Sequence, residues 1–231
     1  MTSGATLHDP ARHEALQTIG WDEGAAREMI RGIVADTEAR FSPDGYWPMH
    51  PRDLDGDEEP APFATPLYHS ACGVIWALHY LQSVGAATLS RSYLGELERL
   101  QPLNREWLKV FDFDTSASLL MGDTGFELMT FGERPDAAGS DRLAALIGDN
   151  LDHPAREMLW GAPGTLLAAL FLHERTGDAR WADLFRQTAA KLWSQLRWSP
   201  EFNCHFWTQD LYGKESTSST PCTASWPRRC R

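Results

Sequence analysis

Glu157 is a residue of this chain whose position allows acid/base chemistry. It stands four residues before Gly161, at the mouth of the segment Met158-Leu-Trp-Gly-Ala-Pro-Gly164, after which a long apolar run begins. A carboxylate one helical turn from a cluster of backbone N–H donors can accept a proton or hold a catalytic histidine. It can equally be a charge at a helix start, where the macrodipole favours an anion. Asp123 invites the second reading, as a residue that interacts with a helix start. His69 is a weaker candidate, and His173 falls on a surface stripe. The four cysteines (Cys72, Cys204, Cys222, Cys230) contain no C-x-x-C pair and are sparse for a disulfide framework. A reducing cytoplasm is the expected compartment.

The segment after Glu157 is one of three alike. The others are Leu67-Tyr-His-Ser-Ala-Cys-Gly73 and Leu119-Leu-Met-Gly-Asp-Thr-Gly125. Each has apolar residues, a small-x-x-Gly turn and then an apolar run. A period of roughly 40 to 50 residues signals an array of helix pairs in which no unit buries its apolar face alone. Small residues at i and i+3 let the backbone bend tightly and the next helix start close to a neighbour. The free N–H groups of that first turn are expected to point into whatever space the array encloses.

The elements that carry these turns read as helices. Apolar residues at Met29, Ile30, Ile33 and Val34 predict a helix over 25–41, capped by Asp22 and stopped by Ser42-Pro-Asp-Gly45. Residues 46–66 are rich in Pro and Asp and read as a long loop. Helices are expected over 74–82, 91–100, 105–113, 141–148, 165–176 and 180–198, with a loop over 132–140. No segment shows sustained strand alternation, so the fold class is all-α, built from hairpins. A net charge of −11 argues against a nucleic-acid backbone or an anionic membrane surface as partner. No apolar run approaches the length of a membrane span. The first ten residues carry neither the basic nor the apolar region of a signal peptide.

The three turns in order, together with Trp207-Thr-Gln-Asp-Leu-Tyr-Gly213, resemble the lanthionine synthetase C-like (LanC-like) family. The resemblance runs from about Tyr46 to Gly213, with Ser70 where the family usually has glycine. It divides the chain into a helical segment over 1–45, a partial toroid over 46–213 and a tail over 214–231. It implies a double-layered α/α toroid of helical hairpins, incomplete in this chain. It also implies a zinc ion held by two cysteines and a histidine. That zinc activates the thiol of a peptide cysteine or of glutathione, which adds to a dehydroamino acid to form a thioether.

Little of that machinery carries over residue by residue. The family's Trp-Cys-His-Gly zinc signature is absent. Cys204-His205 is similar to it but is followed by Phe206, and Cys204 reads as a small packed residue. Cys72 occupies a turn position where the family has a small residue, so packing is its default. No metal ligand is assigned, and no zinc is expected on this chain. Glu157 matches the family's carboxylate before the third turn and is the one catalytic candidate.

After Gly213 the composition changes to Ser, Thr, Pro and Arg without apolar period. Shifting the reading frame lets this tail encode Tyr-Pro-Val-His-Gly-Phe where the family has a His-Gly-Phe segment. The expectation is an out-of-frame tail after about Ser216 on an inactive N-terminal part of the family fold. An incomplete toroid would expose an apolar face and self-associate. Two other functions remain open: a non-catalytic peptide-binding scaffold, and a carbohydrate-active helical toroid, which needs paired carboxylates. Ten tryptophans suit the latter, but Trp160, Trp181, Trp193 and Trp198 fall at helical positions and read as packing.

Overall fold

The computed structural model describes residues 20–50, 64–68, 70–109, 116–211 and 214–217, those after 208 by backbone only. It is mostly helical. Seven α-helices occur among the described residues: α1 Glu23–Arg40, α2 Ala71–Ser83, α3 Leu97–Leu108, α4 Asp123–Glu133, α5 Ala137–Asp149, α6 Ala162–Thr176 and α7 Ala179–Ser194. Two short antiparallel ribbons follow, β1 Arg197–Ser199 with β2 Cys204–Phe206, and β3 Thr208–Leu211 with β4 Lys214–Thr217. Among the described residues no helix is long and apolar enough to cross a membrane.

Local chemistry explains most boundaries. Asp22 caps α1 by accepting from the Ala25 N–H at 3.0 Å, and the Ser42–Tyr46 turn stops it. Gly177, at φ 69°, closes α6 in the left-handed conformation, and Asp178 caps α7 at once. The helices expected over 91–100 and 105–113 are instead a 3-10 turn, Leu94–Glu96, running into α3. Pro102 sits inside α3 without ending it. Leu97, Leu100, Asn104 and Leu108 form one buried stripe across the proline, and their burial holds the helix together.

The loop expected over 132–140 shrinks to three residues. Asp136 accepts from the Gly139 N–H at 2.5 Å, so Ala137-Ala-Gly-Ser is the first turn of α5. Removing that cap (Asp136→Ala) is expected to cost about 1 kcal/mol, read from urea denaturation. An unchanged midpoint would mean the cap carries no weight. The ribbons correct the expectation of helix through 198. At three or four residues each, these strands are too short to show alternation in sequence.

α2, α4 and α6, which each open at a small-x-x-Gly turn, pack on one another in chain order, and each of α3, α5 and α7 packs against its sequence neighbours. Val34, Tyr46, Ile75, Tyr93, Leu100 and Phe126 form the first core. Leu119, Phe131, Leu143, Ile147, Leu172 and Trp181 form the second. Met121, Ala155, Leu159 and Trp160 join under the third turn.

Candidate functional site

The three turns share one construction. In each, the closing glycine packs against the carbonyl of the residue six positions earlier. A Cβ on Gly73 would lie 2.3 Å from Leu67 O, on Gly125 2.7 Å from Leu119 O, and on Gly164 2.5 Å from Met158 O. No side chain fits at such distances. Gly161 is tighter still, with its Cβ position 1.7 Å from Ala155 O. The first-turn N–H groups do not point free into an enclosed space. Ala71 N–H donates to Ala64 O (3.1 Å), Cys72 N–H to Thr65 O (3.2 Å) and Asp123 N–H to Ser116 O (2.7 Å). Each donor finds its acceptor seven residues upstream, so the incoming segment itself satisfies the helix start.

Glu157 lies in the third turn, buried at 7% exposure. Its Oε2 accepts from the Leu159 N–H at 2.6 Å and its Oε1 from the Trp160 N–H at 2.8 Å. Burial pushes its carboxyl above the ordinary range, and the two N–H donors oppose that in part. Both oxygens are therefore engaged in shaping the turn. Beside it, Arg156 Nη1 donates to Thr208 O at 2.5 Å and to Thr208 Oγ1 at 3.1 Å. The start of the Gln-Asp-Leu-Tyr-Gly ribbon is thus pinned next to the third turn, two pieces of sequence about 50 residues apart. Trp207 Nε1 adds a bond to Leu192 O at 2.7 Å.

The other candidates scatter. Asp123 opens α4 and is buried. Its pKa is raised by burial against the opposing Arg105, whose Nε lies 2.7 Å from Asp123 Oδ2. One helical turn on, Glu127 binds Gln101 of α3 (3.1 Å) and Arg142 of α5 (3.0 Å). This pair of carboxylates ties α4 to both neighbours. His173 sits at the far end of α6 from the turn, 3.1 Å from Asp178 O. His69 lies outside the described residues.

Cys72 is fully buried, as its packing role requires, with Sγ 3.6 Å from Met129 Sδ. Burial pushes its thiol far up, away from the thiolate a metal needs. Cys204 is exposed and not packed, on β2 of a two-stranded ribbon. Cys204 pairs with Ser199 and His205 with Trp198, so the two neighbours face opposite sides of the ribbon. His205 packs edge-on against the Trp198 ring, centroids 5.0 Å apart. These donors do not fit the tetrahedral Cys and His set of zinc, and among the described residues no cluster of three His, Cys, Asp or Glu could hold a metal. Cys222 and Cys230 lie outside the described residues.

A groove of about 1090 Å³ runs along α2, α4 and α6. Its lining repeats in register. Trp76, Leu128 and Leu167 stand three residues after the turn glycines, and Tyr80, Gly132 and Phe171 stand seven after. Trp76 and Tyr80 stack at 5.4 Å and 13° and are about half exposed, as is Phe171. The middle position is Gly132, over which the Arg175 guanidinium lies and to whose carbonyl it donates. Aromatic walls from the outer repeats thus flank a glycine floor. Trp160 and Trp181 are core residues as expected, whereas Trp193 and Trp198 are exposed. The chain matches no model of a known protein family, and no curated protein matches it.

Proposed function

We propose that this chain is a LanC-like protein that binds a peptide substrate along the groove of α2, α4 and α6. The observation that carries the reading is the threefold turn, with its closing glycine packed on the carbonyl six residues back in every copy. A series of helical hairpins is what the double-layered toroid of that family would require. In the family, zinc supplies a thiolate that adds to a dehydroamino acid. The described residues offer no donor set for that ion, so their work is to bind and orient. Trp76, Tyr80 and Phe171 supply apolar area for a peptide. Glu157 holds the third turn in shape beside the ribbon.

A non-catalytic scaffold is the second reading, favoured by the opposed faces of Cys204 and His205. The two separate on substrate preference. An apolar peptide carrying cysteine and dehydroalanine is expected to bind more tightly than the same peptide with alanine at both positions. Equal affinity would contradict the LanC-like reading and leave the scaffold. A separate expectation concerns metal. Cys72→Ser and Cys204→Ser are each expected to leave the zinc content of the purified protein unchanged by elemental analysis. Loss of stoichiometric zinc in either would overturn the placement of these thiols outside a metal site.

A further inference from the structure

The first residue of each turn seats on the closing glycine of the next. Leu67 Cβ and Cδ2 come within 3.1 Å of the Cβ position on Gly125, and Leu119 Cβ comes within 3.1 Å of that on Gly164. This knob-on-glycine contact is the interface between successive repeats, and it occurs twice. Among the described residues, both ends of the series lack a partner. Met158, the third knob, is 38% exposed. Gly73, the first seat, meets only the backbone of its own Leu67 within 4 Å.

We propose that a second copy of this chain completes both ends, with Met158 of one molecule seated on Gly73 of the next. The contact continues an interface the chain already makes with itself, and its two halves have the chemistry of the internal pairs. An apolar side chain meets a glycine that allows close approach. Seating Met158 removes its exposed apolar area from water, which favours the contact at about 25 cal/mol per Å². The contact is head-to-tail, so it closes into a ring where the rotation allows and otherwise grows as an open chain.

The test is light scattering of the full chain across a concentration series. The expected result is a mass above the monomer that rises with concentration and returns to the monomer in Met158→Glu. Trp193→Glu, an exposed aromatic of α7, is expected to leave association unchanged. Circular dichroism checks that both variants keep their helix content. A second measurement uses cysteine trapping in a background with Cys204, Cys222 and Cys230 replaced by Ser. Met158→Cys chains mixed with Val74→Cys chains are expected to cross-link to each other on oxidation. A monomer at every concentration, association that survives Met158→Glu, or association abolished equally by Trp193→Glu would each overturn the proposal. These outcomes do not depend on peptide binding, so they stand or fall apart from the LanC-like reading.

Discussion

Gly161→Ala is expected to destabilise this protein severely. The new methyl would lie 1.7 Å from the Ala155 carbonyl oxygen and 3.1 Å from that of Glu157, both backbone atoms that cannot rotate away. Relief requires opening the third turn. That would pull Trp160 and Leu159 out of the core they share with Met121 and Ala155, and would break the Glu157 bonds to their N–H groups. The cost is expected to reach about 4 kcal/mol, a large part of a native stability of roughly 5–15 kcal/mol. Gly148→Ala is the control. Gly148 lies in α5 with nothing within 4 Å of the new methyl, so alanine is expected to stabilise by about 0.5–1 kcal/mol. Urea denaturation of both variants gives the comparison. A Gly161→Ala midpoint close to wild type would remove the close packing of the turns from the account.

Glu157→Ala is expected to have the next largest effect. Two backbone N–H groups in a buried turn would lose a charged acceptor at 2.6 and 2.8 Å. Hydrogen bonds to charged groups contribute about 1.5–3 kcal/mol, and stranded buried donors add to the loss, so a cost of about 3 kcal/mol is expected. The pH dependence gives an independent sign. Burial raises the folded-state pKa of this carboxyl above its unfolded value. The folded state then holds the proton more tightly, so stability from this group is complete below the unfolded pKa of about 4.3. It is lost as pH rises through the folded value. Gln cannot ionise, so the wild-type stability measured relative to Glu157→Gln is expected to fall as pH climbs from about 4. A difference that stays flat or grows with pH would contradict the burial of this carboxyl.

The repeat was legible in the sequence because its signal is steric. Only small residues tolerate a neighbour's carbonyl at these distances, so Gly73, Gly125 and Gly164 mark the turns. The helices that end at Gly177 and begin after Asp22 or Asp178 were equally plain, since caps are local chemistry. Two boundaries were misread where local signals conflict with burial. The helices expected over 91–100 and 105–113 are replaced by α3, whose buried stripe runs across Pro102, and Ala137-Ala-Gly-Ser has the composition of a loop but is turned into helix by the Asp136 cap.

The groove was harder to see. Trp76, Tyr80 and Phe171 become a shared wall only once the three turns are aligned, and their half-exposure depends on packing between helices far apart in sequence. The bond from Arg156 to Thr208 has no sequence signal at all. Cys204 reads in the sequence as a small packed residue, and its exposure follows from a ribbon too short to show alternation. Glu157 was found by its position. Its two backbone acceptor bonds followed from the shape of the loop, which no spacing rule reports.

The groove as a peptide site is the central claim, and calorimetric titration tests it most directly. An apolar peptide carrying cysteine and dehydroalanine would be titrated into the wild-type chain and into Phe171→Asp, a half-exposed wall position, with circular dichroism checking that the variant keeps its helix content. The account predicts one saturable site in the wild type, weakened at least about tenfold, or 1.4 kcal/mol, in the variant. Heat of binding absent from the wild type, or affinity equal in the two proteins, would contradict it.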